Sequence, residues 1–170
     1  MFLILKVLIY SQWFDPEPTV KGLLFAKKLK GLGHDVNVLT GFPNYPGGKV
    51  YSGYKVKLFQ SESMEGIKVY RVPLYPSHNS SKIGRAFNYL SFAISSFLFL
   101  IFFLEKQDIV YVYHPPITTG VVALMVKLIK KSKIIIDIQD LWPDTLKSTG
   151  MLSDGILLKC VGVLSNFTYK

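Results

Sequence analysis

Arginine is nearly missing from this sequence. Of its 20 basic residues only Arg71 and Arg85 are arginines, and the other 18 are lysines. Against 11 acidic residues this gives a formal net charge of +9. Such a balance suits an anionic partner: a membrane surface, a phosphorylated substrate or a nucleic acid. Base reading relies on bidentate arginine contacts, and no zinc-finger or RNP-type motif occurs, so no nucleic acid is expected. Cysteine is scarcer still. Cys160 stands alone, which excludes an internal disulfide and a cysteine-based zinc site and points to a reducing compartment. It reads as a small core residue on a late helix. The G-x-G-x-x-G fingerprint of a dinucleotide site is absent after the first strand, which argues against a nicotinamide enzyme. Gly48-Lys49 is not a P-loop, because Pro43 and Val50 stand where that motif needs Gly and Ser or Thr. Neither a Ser-His-Asp constellation nor a metal-ligand spacing is present, so no metal and no cofactor are expected.

What is present is apolar and regularly punctuated. Charged residues make up only 18% and hydrophobic residues 49%, which excludes disorder, and 170 residues suffice for one domain with a real core. Leu3 to Tyr10 is rich in Leu, Ile and Val, like a strand buried on both faces. Lys6 interrupts it and no small-residue cleavage site follows, so it is a first strand and not a signal peptide. Thr19 is placed to cap a helix carrying Val20, Leu23, Leu24 and Leu29, which Gly31 and Gly33 stop. Asp35 to Thr40 is a second strand, completing a βαβ opening. After a Gly- and Pro-rich loop, Lys55 to Ser61 and Ile67 to Val72 read as strands joined through Met64-Glu65-Gly66. Asp108 to Tyr113 is a strand, Thr118 to Lys130 a helix, Lys133 to Ile138 a strand and Asp154 to Lys170 a helix. Alternation of strand and helix is the sign of an α/β fold, a parallel sheet with helices on both faces.

In open parallel sheets, ligands bind beyond the carboxyl ends of the strands. Four polar and aromatic loops fall there. The first holds Trp13, Asp15 and Glu17; the second holds Asn44, Tyr45, Gly47 and Gly48; the third is His114-Pro115-Pro116; the fourth contains Asp140 and Trp142. Each candidate has two readings. Asp15 either serves the site or caps the first helix. Gly47 and Gly48 either make a turn or let backbone N–H groups approach a phosphate or sugar hydroxyl. Trp142 either stacks on a sugar ring or fills space beneath a loop. His114 precedes a helix beginning near Thr118, whose start can hold an anion, or the prolines merely end the strand. His34 follows a helix-ending glycine and reads as a turn residue.

Several motifs, in order, resemble one family. Ser11-Gln12-Trp13-Phe14-Asp15-Pro16-Glu17-Pro18, Leu32-Gly33-His34-Asp35-Val36-Asn37-Val38-Leu39-Thr40, Gly41-Phe42-Pro43-Asn44-Tyr45-Pro46-Gly47-Gly48, Asp137-Ile138-Gln139-Asp140-Leu141-Trp142-Pro143-Asp144 and Thr149-Gly150-Met151-Leu152 look like glycosyltransferase family 4. The resemblance covers nearly the whole chain and is to the bacterial branch that builds the O-antigen of lipopolysaccharide, capsule and colanic acid, including the fucosamine transferases. It implies the N-terminal, acceptor-side Rossmann-like domain of a GT-B enzyme. It further implies a nucleotide-sugar donor bound mainly by an absent C-terminal domain, a lipid-linked oligosaccharide acceptor, and retaining, metal-free transfer. Asp140 and Asp15 then become the catalytic candidates, orienting the acceptor hydroxyl or taking its proton. Trp13, Asn44, Tyr45, Gly47, Gly48, His114, Thr118 and Trp142 become the substrate-binding ones. On this resemblance the first domain is incomplete at its C-terminal end, and the isolated chain is expected to be inactive. The alternative is a non-catalytic, membrane-associated half of a split glycosyltransferase.

Phe87 to Leu104 is 18 residues without a charge, about 27 Å of helix at 1.5 Å per residue. Three readings stand: spanning a membrane, sandwiched burial, or burial with one face dipping into the cytoplasmic membrane. The βαβ order places this segment between two strands of one sheet, so spanning would tear the domain apart. The third reading makes Lys82 and Arg85 contacts to an anionic membrane surface, with Phe87, Leu98 and Phe102 entering it. It places the protein in the cytoplasm, peripheral to the inner membrane face.

Overall fold

The computed structural model describes residues 3–77, 82–150 and 152–169. Met151 of the Thr149–Leu152 motif and Lys170 of the expected last helix lie outside them. The first apolar run forms β1 (Lys6–Tyr10), which lies between β2 (Asp35–Gly41) and β5 (Ile109–His114), parallel to both. Two further parallel strands flank these, β4 (Ile67–Val72) beside β2 and β6 (Lys133–Ile138) beside β5. An antiparallel strand, β3 (Gln60–Met64), closes one edge, so the order is β3-β4-β2-β1-β5-β6. Among the parallel strands the chain starts in the middle, builds outward to β4, then reverses to the other side of β1. That is a Rossmann-like sheet, as expected.

The alternation of side chains along β1 divides two cores. Leu8 and Tyr10 face α2 (Lys82–Phe102) and α3 (Ile117–Lys130), together with Phe92, Leu100 and Val126. Val7 and Ile9 face α1 (Leu23–Gly31), together with Phe14, Ala26 and Val69. Both faces are therefore covered, which explains why the central strands read as nearly continuous apolar runs. A short α4 (Asp144–Ser148) and α5 (Ile156–Tyr169) follow β6. The backbone of α3 approaches α5 so closely that a Cβ on Gly120 would lie 2.4 Å from Thr168 Cγ2.

Four expectations need correcting. The strand expected over Lys55 to Ser61 is Gln60–Met64 instead. Glu65 and Gly66 both have positive φ, 48° and 77°, and form a two-residue hairpin turn that pairs Met64 directly with Ile67. That turn sets the register of the strand behind it. Thr19 does not cap the first helix, which begins at Leu23 after Gly22. The Asp15 carboxylate accepts the Leu23 N–H at 2.7 Å, so the cap comes from eight residues upstream and Val20 and Leu24 stay exposed. Cys160 is exposed, because α5 turns Ser165 and Thr168 inward. Finally, α2 is not sandwiched. Phe92, Phe99 and Leu100 cover the sheet, while Ile83, Phe87, Leu90, Ile94, Leu98 and Phe102 stand exposed on the other side.

The Asp15 cap leads to a stability prediction. Asp15→Ala removes the acceptor for Leu23 N–H and should lower the unfolding free energy by about 1 kcal/mol, the usual size of a lost cap. Gly22→Ala should cost at least as much, since its Cβ would fall 2.1 Å from Asp15 Oδ2 and displace the carboxylate. Urea denaturation of the two variants checks this; unchanged midpoints would remove Asp15 from the cap.

Candidate functional site

The strand order reverses between β1 and β5, and a parallel sheet opens a crevice above such a point. Here the crevice is an open cleft of about 710 Å³. The loop after β1 brings Trp13, Pro18 and Thr19 to it, and the loop after β2 brings Tyr45. Tyr113 and Pro115 come from the end of β5, and Gln139 and Asp140 from the end of β6. The rings of Trp13 and Tyr45 lie 5.1 Å apart and form an aromatic wall. Asp140 faces them, and its carboxylate makes no hydrogen bond or salt bridge among the described residues. The Thr19 hydroxyl is buried without a hydrogen-bonding partner there. The cleft thus offers flat apolar faces and a free carboxylate, bordered by the Tyr113 side chain and the Gln139 amide, a chemistry that suits a polyhydroxylated ring.

The wall is held from below by a buried carboxylate. Glu17 is 3% exposed. Its Oε1 accepts the backbone N–H groups of Asn44 and Tyr45, each at 2.7 Å, and its Oε2 accepts that of Phe14 at 3.2 Å. One side chain therefore joins the loop carrying Trp13 to the loop carrying Tyr45. Burial pushes its pKa from 4.5 to about 7, against the three N–H donors and the nearby Arg71 charge. Arg71 is fully buried at the end of β4. Its guanidinium donates to Glu62 at 2.5 Å, to Gly41 O at 3.0 Å and to Asp15 O at 2.5 Å, and lies 4.9 Å from the Tyr54 ring centre.

The sequence-expected residues divide. Trp13, Tyr45 and Asp140 meet in the cleft. Asp15 does not line it; its carboxylate caps α1, which selects the capping reading. Asn44 is buried beneath the wall, where its Oδ1 accepts from Asn88 Nδ2 at 3.3 Å. Gly47 and Gly48 make a turn, with Gly48 N–H donating to Asn44 O at 2.6 Å and φ at 68°. His114 is fully buried, edge-on to Trp142 and Tyr169 at 5.9 and 5.8 Å, and neither ring nitrogen has a partner among the described residues. Burial lowers its pKa to about 4 although the Asp140 charge opposes this. Thr118 lies on α3 with its hydroxyl buried and also unpartnered there. Trp142 is 9% exposed and lines a separate small cavity of about 120 Å³ with Lys82, Arg85 and Tyr89. Tyr89 sits 6.4 Å from both Trp13 and Trp142, so the aromatic row continues behind the cleft.

The sequence places Glu17 in the loop without indicating a role, marks Thr19 only as a helix cap, and gives Tyr113 and Gln139 no distinguishing signal. A buried acid that accepts two of its three backbone N–H groups from residues 27 and 28 positions away leaves no spacing to detect. No group of three or more His, Cys, Asp or Glu side chains able to hold a metal lies among the described residues.

Comparison with known proteins agrees with this architecture. The family described as glycosyl transferase 4-like domain matches residues 23–156. The chain is also 28% identical over 156 residues to a protein of Escherichia coli (strain K12) named putative colanic acid biosynthesis glycosyl transferase WcaI. That match covers 89% of this chain and 38% of the relative, so the chain spans well under half the relative's length.

Glu17 gives a pH-dependent prediction. A carboxyl whose folded pKa is raised favours the folded state below its unfolded pKa, and that contribution is lost as pH rises through the folded value. For Glu17 the window runs from 4.5 to about 7. Glu17→Gln cannot titrate, and its amide turns one N–H toward backbone donors. It should destabilise by about 1–3 kcal/mol, more at pH 5 than at pH 8. Denaturant midpoints at the two pH values check the sign, and a loss larger at pH 8 would contradict it.

Proposed function

This chain belongs to the glycosyl transferase 4-like family, and from that premise we propose that it forms the acceptor side of a glycosyltransferase acting on a lipid-linked glycan. The observation that carries this reading is the cleft at the β1/β5 reversal, where the Trp13 and Tyr45 rings face the free Asp140 carboxylate. Aromatic faces complement the C–H faces of a sugar ring, while a carboxylate that is not held by the protein is available to a hydroxyl. Asp140 orients the acceptor hydroxyl and takes its proton as the new glycosidic bond forms. Trp13 and Tyr45 hold the acceptor ring at attack distance, and Glu17 keeps their two loops in register.

The sugar comes from a nucleotide-sugar donor held by a second domain facing this cleft. Basic side chains and helix N-termini there stabilise the leaving diphosphate, and transfer retains the anomeric configuration without a metal. The relative's name ties that protein to colanic acid biosynthesis. By analogy the product here is a bacterial surface polysaccharide, O-antigen or capsule. The acceptor's lipid places the reaction at the inner face of the cytoplasmic membrane. The net charge of +9 and the exposed apolar side of α2 support that location.

The test uses the whole protein, with initial rates measured against donor and lipid-linked acceptor separately. Asp140→Asn should lower kcat by about 10²–10⁴-fold, the range for a lost general base, with the acceptor KM little changed. Trp13→Ala should raise the acceptor KM by about three- to tenfold, matching a lost ring contact, and leave the donor KM alone. Normal turnover by Asp140→Asn would remove Asp140 from the chemistry.

A further inference from the structure

The exposed side of α2 does not end at the helix. A groove of about 320 Å³ runs between α2 and the segment that precedes β3, with Leu58, Phe59, Val72, Leu98, Phe99 and Phe103 among its lining residues. Its floor is aromatic: Phe59 stacks on Phe99 at 5.2 Å, and Phe99 on Phe103 at 5.9 Å. Its rim is exposed to a degree that folding alone does not explain, Leu58 at 92% and Phe103 at 76%. The hydroxyl it contains, on Ser95, is already engaged, donating to Pro73 O at 2.5 Å. A second groove of about 320 Å³ adjoins the first across Pro73, Ser95 and Leu98 and follows α2 toward Ile94. Together they form one apolar furrow alongside the outward stripe of the helix.

The charges around this furrow are predominantly positive. Lys55 and Lys57 immediately precede Leu58 and α2 contains no acidic residue, while past Phe103 the Glu105 carboxylate is paired with Lys6 at 3.1 Å and Lys106 follows it. Two copies of this face brought together would oppose like charges, whereas an anionic lipid surface complements them.

We propose that the furrow is a slot for a single hydrocarbon chain of a membrane lipid. The anionic headgroup rests on Lys55 and Lys57, and the outer stripe of α2 lies at the headgroup boundary. This rests on the membrane location given above and adds to it a discrete site with one-to-one stoichiometry. The slot draws one chain out of the bilayer against Phe59 and Phe99, so the domain is oriented as well as attached. Apolar contact fixes the chain, and the Phe59–Phe99–Phe103 floor gives it one position beside α2.

The experiment titrates the chain with dodecyl phosphate below its micelle threshold and, separately, with vesicles of phosphatidylcholine and phosphatidylglycerol. Binding is read from Phe59→Trp fluorescence, with vesicle lipids brominated at mid-chain as quenchers. Saturation at one dodecyl phosphate per chain, mid-chain quenching, and a loss of affinity of about tenfold or more in Leu58→Glu/Phe103→Glu are expected; tenfold corresponds to about 1.4 kcal/mol. Both rim residues are exposed, so the double variant should fold, and its circular dichroism and urea midpoint confirm that. Vesicle binding without quenching, or without one-to-one saturation by the amphiphile, would overturn the slot while leaving the membrane location standing. One-to-one amphiphile binding without vesicle binding would do the reverse. Concentration-dependent dimers that dissociate in the rim variant would assign the furrow to self-association and overturn the proposal.

Discussion

The structure at the cleft depends on two ionisable side chains kept out of water. Arg71 and Glu17 sit below the loops that leave β1, β2 and β4, and both are buried. A buried charge is tolerated only where its donors or acceptors are met. Arg71 meets this by reaching Glu62 on the edge strand, the carbonyl of Gly41 at the end of β2 and that of Asp15 in the loop after β1. Glu17 meets it by accepting three backbone N–H groups. The result is that loops rich in Pro and Gly, with little regular structure of their own, are pinned to a rigid sheet. The Asp15 that gives its carbonyl to Arg71 also gives its carboxylate to α1, so one residue ties the helix, the loop and the buried cation together.

A polar network carries the same constraint across the sheet to α2. Gln12 Nε2 donates to Asn88 Oδ1 at 2.5 Å, and Asn88 Nδ2 donates to Asn44 Oδ1 and to Tyr75 O. Tyr10 and Ser96 share a hydrogen bond of 2.7 Å lower on the same helix. Polar positions inside an otherwise apolar helix thus fix its rotation. Asn88 and Ser96 must face inward, and this forces Phe87, Leu90, Ile94 and Leu98 outward. The apolar exterior is a geometric consequence of the buried amides as much as of composition.

Much of the fold was legible because strands buried on both faces show as runs of Val, Ile and Leu. β1, β2, β4, β5 and β6 and the helix α3 fall where those runs lie, within a residue or three at their ends. The misplacements have local causes. Glu65 adopts positive φ without being glycine, so the hairpin turn that shifts β3 gave a weak signal. Thr19 looked like a cap because it is next to the apolar run, whereas the capping carboxylate of Asp15 reaches forward over eight residues to Leu23. In the cleft, Trp13, Tyr45 and Asp140 were legible from their positions after strand ends. Thr19 was noticed only as a cap, and Glu17 only as part of its loop, because tertiary contacts and not spacing give them their places. His114 and Trp142 were drawn to the site by the same positional rule, yet the reversal of side-chain direction along β5 turns His114 to the other face of the sheet from Tyr113.

The helix α2 has two faces that answer to different rules. Along Phe92, Phe99 and Leu100 a substitution is judged by volume and shape, since neighbours on the sheet leave no slack. Along Ile83, Phe87, Leu90 and Ile94, which are exposed, folding sets no criterion of volume, and on the membrane location proposed above the criterion is hydrophobicity alone, with Leu, Ile, Phe and Met interchangeable. Drift in this protein should therefore be fast in identity but slow in character on one side of a single helix, and slow in both on the other.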